Sequence, residues 1–86
     1  MKNRSRTEIV AIILEAANWG ATKTKIMYKA MLSYNQWKDC LYVLLENNLI
    51  EYHDETQTFK TTGKGLNFLK MHNEIGELLQ TTIKND

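Results

Sequence analysis

The stretch TKTKIMYKAMLSYNQWKDCLYVLLENN, residues 22–48, decides the fold. Thr22 and Ser33 carry short side-chain oxygens that accept hydrogen bonds from the unpaired N–H groups of a helix's first turn, so each marks a helix start. After Thr22, Ile26, Met27 and Ala30 fall on one face of a short helix that reaches about Met31. After Ser33, Trp37, Leu41, Leu44 and Leu45 recur at three- and four-residue steps up to Asn47 or Asn48. Two helices of these lengths and this spacing make a helix-turn-helix.

Upstream, Ser5 and Glu8 have the spacing of a capping box, and Ile9, Ile12, Ile13, Ala16 and Ala17 follow at helical intervals. A first helix over residues 6–18 is expected, closed by Gly20, because glycine takes the left-handed conformation found beyond helix ends. Downstream the pattern changes to two β-prone pieces, Leu49 to His53 and Thr58 to Thr61, separated by the polar tip Asp54-Glu55-Thr56-Gln57. Thr62 can then cap a last helix from Gly63 to about Thr82, roughly 30 Å long. The expected fold is mainly α with a small β-hairpin wing, a winged helix-turn-helix with a long C-terminal helix. Residues 1–62 form the winged domain with a basic N-terminal arm, and residues 63–86 form a dimerisation helix.

An 86-residue chain is sized for one core. Domains this small often gain buried apolar area by pairing. Cys40 stands alone, so an internal disulfide is excluded, and no secretory leader pattern opens the chain. A cytoplasmic, nucleoid-associated setting is expected. The longest apolar run, Ile9 to Leu14, is far below the ~20 residues that span a bilayer, so no membrane is expected.

The formal net charge of +1 conceals an asymmetry: residues 1–45 carry seven Lys/Arg against three Asp/Glu, and residues 46–62 carry one Lys against four acids. A basic face of this kind suits a polyanion, although ordinary solvated surfaces also segregate charge. In a helix-turn-helix the second helix can enter the major groove of DNA, where base edges are distinguishable. With Trp37, Leu41 and Leu44 turned inward, the opposite face presents Asn35, Gln36, Lys38 and Asp39. Lys23 and Lys25 stand in the first turn of the preceding helix, where they oppose the helix dipole unless an external anion offsets them. Arg4 and Arg6, with Lys2, form the arm, which could follow phosphates or a groove. A solvated helix face and ordinary surface lysines are the bland alternatives.

The stretch Lys23-Thr24-Lys25-Ile26-Met27-Tyr28, with Ala30, Leu32, Ser33 and Tyr34, resembles the helix-turn-helix of the archaeal Sulfolobus-type ten-kilodalton DNA-binding proteins. Leu49-Ile50, and Thr62 with Lys64-Gly65, also fit that family, and the resemblance covers about residues 4–80. It implies a winged helix whose C-terminal helix pairs with a partner's in an antiparallel coiled coil. It also implies binding of double-stranded DNA, in a chromatin-organising or regulatory role, with contacts at Lys23, Lys25, Tyr34, Gln36 and Lys38. The sequence departs from the family at the acidic wing tip, Asp54 and Glu55, and at Thr61, where a larger apolar residue is usual.

On the last helix, Phe68, Met71, Ile75, Leu78 and Thr82 follow the three-four spacing of a coiled-coil seam, Leu79 lies beside them, and Leu66 and Leu69 are left to pack on the winged domain. The alternative is that all of them cover one enlarged monomer core. No metal site is expected, since Cys40, His53 and His72 share no ligand spacing. No cofactor or catalysis is expected either, because Gly63-Lys64-Gly65 lacks the rest of a phosphate loop and a domain this small has little room for an active-site pocket. The competing reading is a protein-interaction winged helix, docking through Tyr34, Trp37 and Tyr42 and the acidic wing.

Overall fold

The computed structural model describes residues 4–84, with side chains as far as Gln80. Its elements run α1 (Arg6–Ala16), α2 (Lys23–Ala30), α3 (Tyr34–Glu46), β1 (Ile50–His53), β2 (Thr58–Thr61) and α4 (Gly63–Lys84). This is a winged helix: three helices, an antiparallel hairpin and a long last helix.

Every N-terminal cap read from the sequence is in place, while α1 closes at Ala17 ahead of Gly20. Ser5 and Glu8 close a reciprocal capping box on α1, and Ser33 and Gln36 close one on α3. The Thr22 hydroxyl accepts from Lys25 N–H at 3.2 Å, and the Thr62 hydroxyl from Gly65 N–H at 3.1 Å. Met31 ends α2 in the left-handed region, with φ 54°.

The core joins α1 (Ile13, Leu14, Ala17), α2 (Ile26, Ala30), α3 (Trp37, Leu44), the hairpin (Ile50, Phe59) and the start of α4 (Leu69). Trp37 meets Phe59 edge-on at 5.3 Å between ring centroids, which fixes the wing against α3. Among the described residues Thr61 is the one buried polar residue, and its hydroxyl donates to the Leu14 carbonyl at 2.6 Å. That bond explains the departure from a larger apolar residue: the position faces an unpaired carbonyl at the end of α1, which a hydroxyl satisfies and a hydrocarbon leaves bare.

Four expectations shift. Helix α1 ends at Ala16 rather than residue 18, because the Ala17 carbonyl turns to accept from Thr61 N–H at 3.0 Å. Leu49 lies in the turn before β1, its N–H bonded to the Leu44 carbonyl and its carbonyl to Thr62 N–H. Leu45, placed in the α3 stripe by spacing, is 42% exposed, since its neighbour Leu44 takes the core position. On α4, Leu69 is buried as expected, but Leu66 is exposed and Phe68 packs partly against the core.

Gly65 is where α4 crosses closest to the rest of the domain. A Cβ there would overlap the Leu49 carbonyl oxygen and the Thr61 methyl, whereas one at Gly76 would meet open space. Gly65→Ala should therefore destabilise the fold by about 1–3 kcal/mol, while Gly76→Ala should stabilise it by roughly 0.5–1 kcal/mol through helix propensity. Urea unfolding of the two variants at one protein concentration checks both signs.

Candidate nucleic-acid interface

Helix α3 buries Trp37 and Leu44 and turns Tyr34, Asn35, Lys38, Asp39 and Tyr42 to solvent. The α2 start is brought beside the α3 start, so that the Lys23 ammonium lies 5.5 Å from the Tyr34 ring centroid and the Lys38 ammonium 5.3 Å from it. Each contact is worth about 0.5–1 kcal/mol at an exposed site, enough to bias a flexible lysine without fixing it. Two cations from different helices thus gather on one ring, at the end of α3 that a helix-turn-helix presents to DNA.

A cleft of about 490 Å³ continues this surface from α2 to the wing, lined by Thr22, Lys23, Thr24, Tyr52, Thr56 and Gln57. Tyr52 is held there by Phe59, 4.8 Å away between centroids. The first turn of α2 contains no acid, so its dipole and its lysines favour an anion together. At the wing, Asp54 and Glu55 are exposed at the tip, and the cleft itself carries only the neutral donors Thr56 and Gln57 from that turn.

Other expected contacts fall elsewhere. Lys25 lies two residues from Lys23, about 200° around the helix, and faces a different groove with Lys29 and Arg4. The Arg4 guanidinium donates to the Met31 carbonyl at 3.4 Å, so it sits at the end of α2. Arg6, exposed in the first turn of α1, lies close enough to Cys40 to act on its thiol. Burial pushes that half-buried thiol's pKa up, Arg6 pulls it down and Asp39 pushes it up. Lys2 lies outside the described residues, as do the side chains of Thr82, Ile83 and Lys84.

Gln36 is exposed, but its amide oxygen accepts from Ser33 N–H at 2.9 Å, so it serves the α3 cap and keeps only its NH2 for another partner. The S-x-x-Q spacing was the signal for this role. Sequence reasoning did not single out Thr22 and Thr24 as cleft residues, because their apposition to the wing depends on a long-range bridge, Ala21 to Phe59. Among the described residues no cluster of His, Cys, Asp and Glu could hold a metal ion, and no helix is long and apolar enough to cross a membrane.

This geometry, an exposed second helix flanked by a wing, defines a winged helix-turn-helix protein. Residues 3–80 match the profile of the winged helix-turn-helix family, so the chain belongs to that family. The structure is similar to that of Sso10a-2, a DNA-binding protein from Sulfolobus solfataricus, with a TM-score of 0.82. The match covers 95% of this chain and 88% of that one at 19% sequence identity, so the likeness is one of fold. No curated protein sequence matches the chain.

The two exposed polar residues at the α3 start have separable roles. Gln36→Ala should lower stability by about 0.5–1 kcal/mol through loss of half a capping box, and Asn35→Ala should change it by less than about 0.5 kcal/mol. Urea midpoints read at constant protein concentration test the difference.

Proposed function

We propose that the protein binds double-stranded DNA as a homodimer, with α3 in the major groove and the α2–wing cleft on the sugar-phosphate backbone. The observation that carries the reading is the Lys23–Tyr34–Lys38 cluster at the exposed start of α3. Similarity of fold to a DNA-binding protein supports it. Lys23 and Lys38 supply phosphate attraction, Asn35 and the remaining NH2 of Gln36 offer base contacts, and the neutral wing turn approaches without repulsion through Thr56 and Gln57. Asp54 and Glu55 stay clear of the backbone.

Of the two amides able to read bases, Gln36 already serves the α3 cap, which supports a chromatin-organising role over a site-specific regulator, and with it a nucleoid location. No catalytic role is proposed. Exposed Tyr42 and Leu45 on α3 keep a protein-docking alternative in view, and salt separates the two. Binding that neutralises several phosphates weakens steeply with salt, whereas an aromatic-centred protein interface is far less sensitive.

Residues 63–86 serve dimerisation in this reading, beyond the α4 turns that Leu69 anchors in the core. Met71, Ile75, Leu78 and Leu79 are all more than half exposed on the part of α4 that runs past the domain. Burying an aliphatic side chain of this size is worth roughly 1.5–3 kcal/mol, so pairing of two such helices is favourable. Phe68 would border the seam from the domain side, and Thr82, whose side chain is outside the described residues, would extend it. The antiparallel arrangement rests on the family resemblance.

Lys23→Ala and Lys38→Ala should each weaken binding to every duplex alike and flatten the salt slope by about one unit. Lys25→Ala should do less than either. Filter or fluorescence titrations of a random-sequence duplex at several salt concentrations measure this, and unchanged slopes in both cluster variants would remove the reading. Ile75→Glu should yield a monomer by sedimentation with a retained winged domain. A parent protein that is already monomeric at tens of micromolar would contradict the dimer.

A further inference from the structure

A groove of about 680 Å³ lies on the side of the domain away from Lys23. Its floor is the outer face of α1, with Ile12, Glu15 and Ala16, continued by Trp19 in the turn that follows. One wall is α2, through Lys25 and Lys29, and the other is α4, through His72 and Asn73. Arg4 and Glu8 close one end. The volume falls in the range of small-molecule sites, about 300–1,000 Å³.

Trp19 is 88% exposed, more than any other large apolar residue described. Its only ring contact among the described residues is the Lys60 ammonium, 5.8 Å from the centroid. Glu15 on the floor and Lys25 and Lys29 on the wall bring both charge signs to the groove, yet none of them forms an ion pair among the described residues. Glu8 is occupied by the α1 cap. The exposed α4 residues assigned to dimerisation, Met71, Ile75, Leu78 and Leu79, line no part of the groove.

We infer that this groove binds a small aromatic α-amino acid. The ring lies against the Trp19 indole and Ile12, the carboxylate meets Lys25 and Lys29, and the ammonium meets Glu15. A ligand with one charge alone would engage only the two lysines or only Glu15, and an uncharged aromatic would engage neither. The charges therefore select a zwitterion over a plain aromatic acid or amine. Because the walls belong to α2 and α4, a bound ligand ties the helix-turn-helix to the last helix. This inference goes beyond the DNA reading and is tested without DNA.

The test uses the whole protein and L-phenylalanine, read by the emission of selectively excited tryptophan and by calorimetry. Trp37 is buried, so the exposed Trp19 supplies the responsive signal. Saturable binding with a Kd of about 1 mM or tighter is expected, with phenylacetate and phenethylamine each about tenfold or more weaker, since each lacks one charge-assisted hydrogen bond. Glu15→Gln and Lys29→Met should each weaken L-phenylalanine by a similar factor while far-UV circular dichroism stays unchanged. Trp19→Phe should remove the optical change and leave calorimetric binding measurable. Absence of binding by calorimetry, equal affinity for all three compounds, or full affinity in the Glu15→Gln, Lys29→Met double variant would each overturn the inference.

Discussion

The hydroxyl and amide of Thr61, with those of Thr62 next to it, hold the whole arrangement together. Thr61 donates from its side chain to Leu14 and from its backbone to Ala17, which closes the end of α1 onto β2. Thr62 donates from its side chain to the Asn48 carbonyl and from its backbone to Leu49, which closes the end of α3 onto the start of α4. Two consecutive residues thus satisfy carbonyls at the C-terminal end of α1 and in the turn that follows α3. A hydrogen bond between such groups contributes about 1 kcal/mol net, but leaving a buried carbonyl bare costs about 1–3 kcal/mol. The orientation of the wing, and of α4, follows from this junction. So does the cleft between α2 and the wing, through the Ala21–Phe59 bridge one residue pair away.

Local chemistry made much of the fold legible in the sequence. Caps at Ser5, Thr22, Ser33 and Thr62 act within three residues of themselves, so spacing alone reveals them. The hairpin boundaries followed from β-prone runs around a polar tip. What the sequence hid was long-range. Thr61 looked like a departure from a family pattern because its partner, Leu14, is 47 residues away. The early end of α1 has the same origin, in the Thr61 N–H that bonds the Ala17 carbonyl.

The candidate surface was legible in part. Lys23, Tyr34 and Lys38 were named one by one through the resemblance, and the fold gathers the two ammonium groups on the Tyr34 ring. Lys25 and Gln36 stand apart from that cluster for reasons that spacing contains: a two-residue step crosses the helix, and a Gln three residues after a Ser closes a cap. Trp19 drew no attention because it stands beyond α1, in the turn that follows it. Only the packing of α2 and α4 around α1 makes its exposure meaningful.

The central claim is that the surface running from α3 across the α2 start to the wing turn is the one that meets DNA. Backbone amide spectra of the labelled protein, recorded while a short random-sequence duplex is added, test it directly. The account predicts shifts concentrated at residues 22–24, 33–42 and 56–57, with the α1 face around Glu15 and Trp19 unmoved. Shifts confined to Arg4, Lys25 and Lys29, or no shifts at all at low salt, would contradict it.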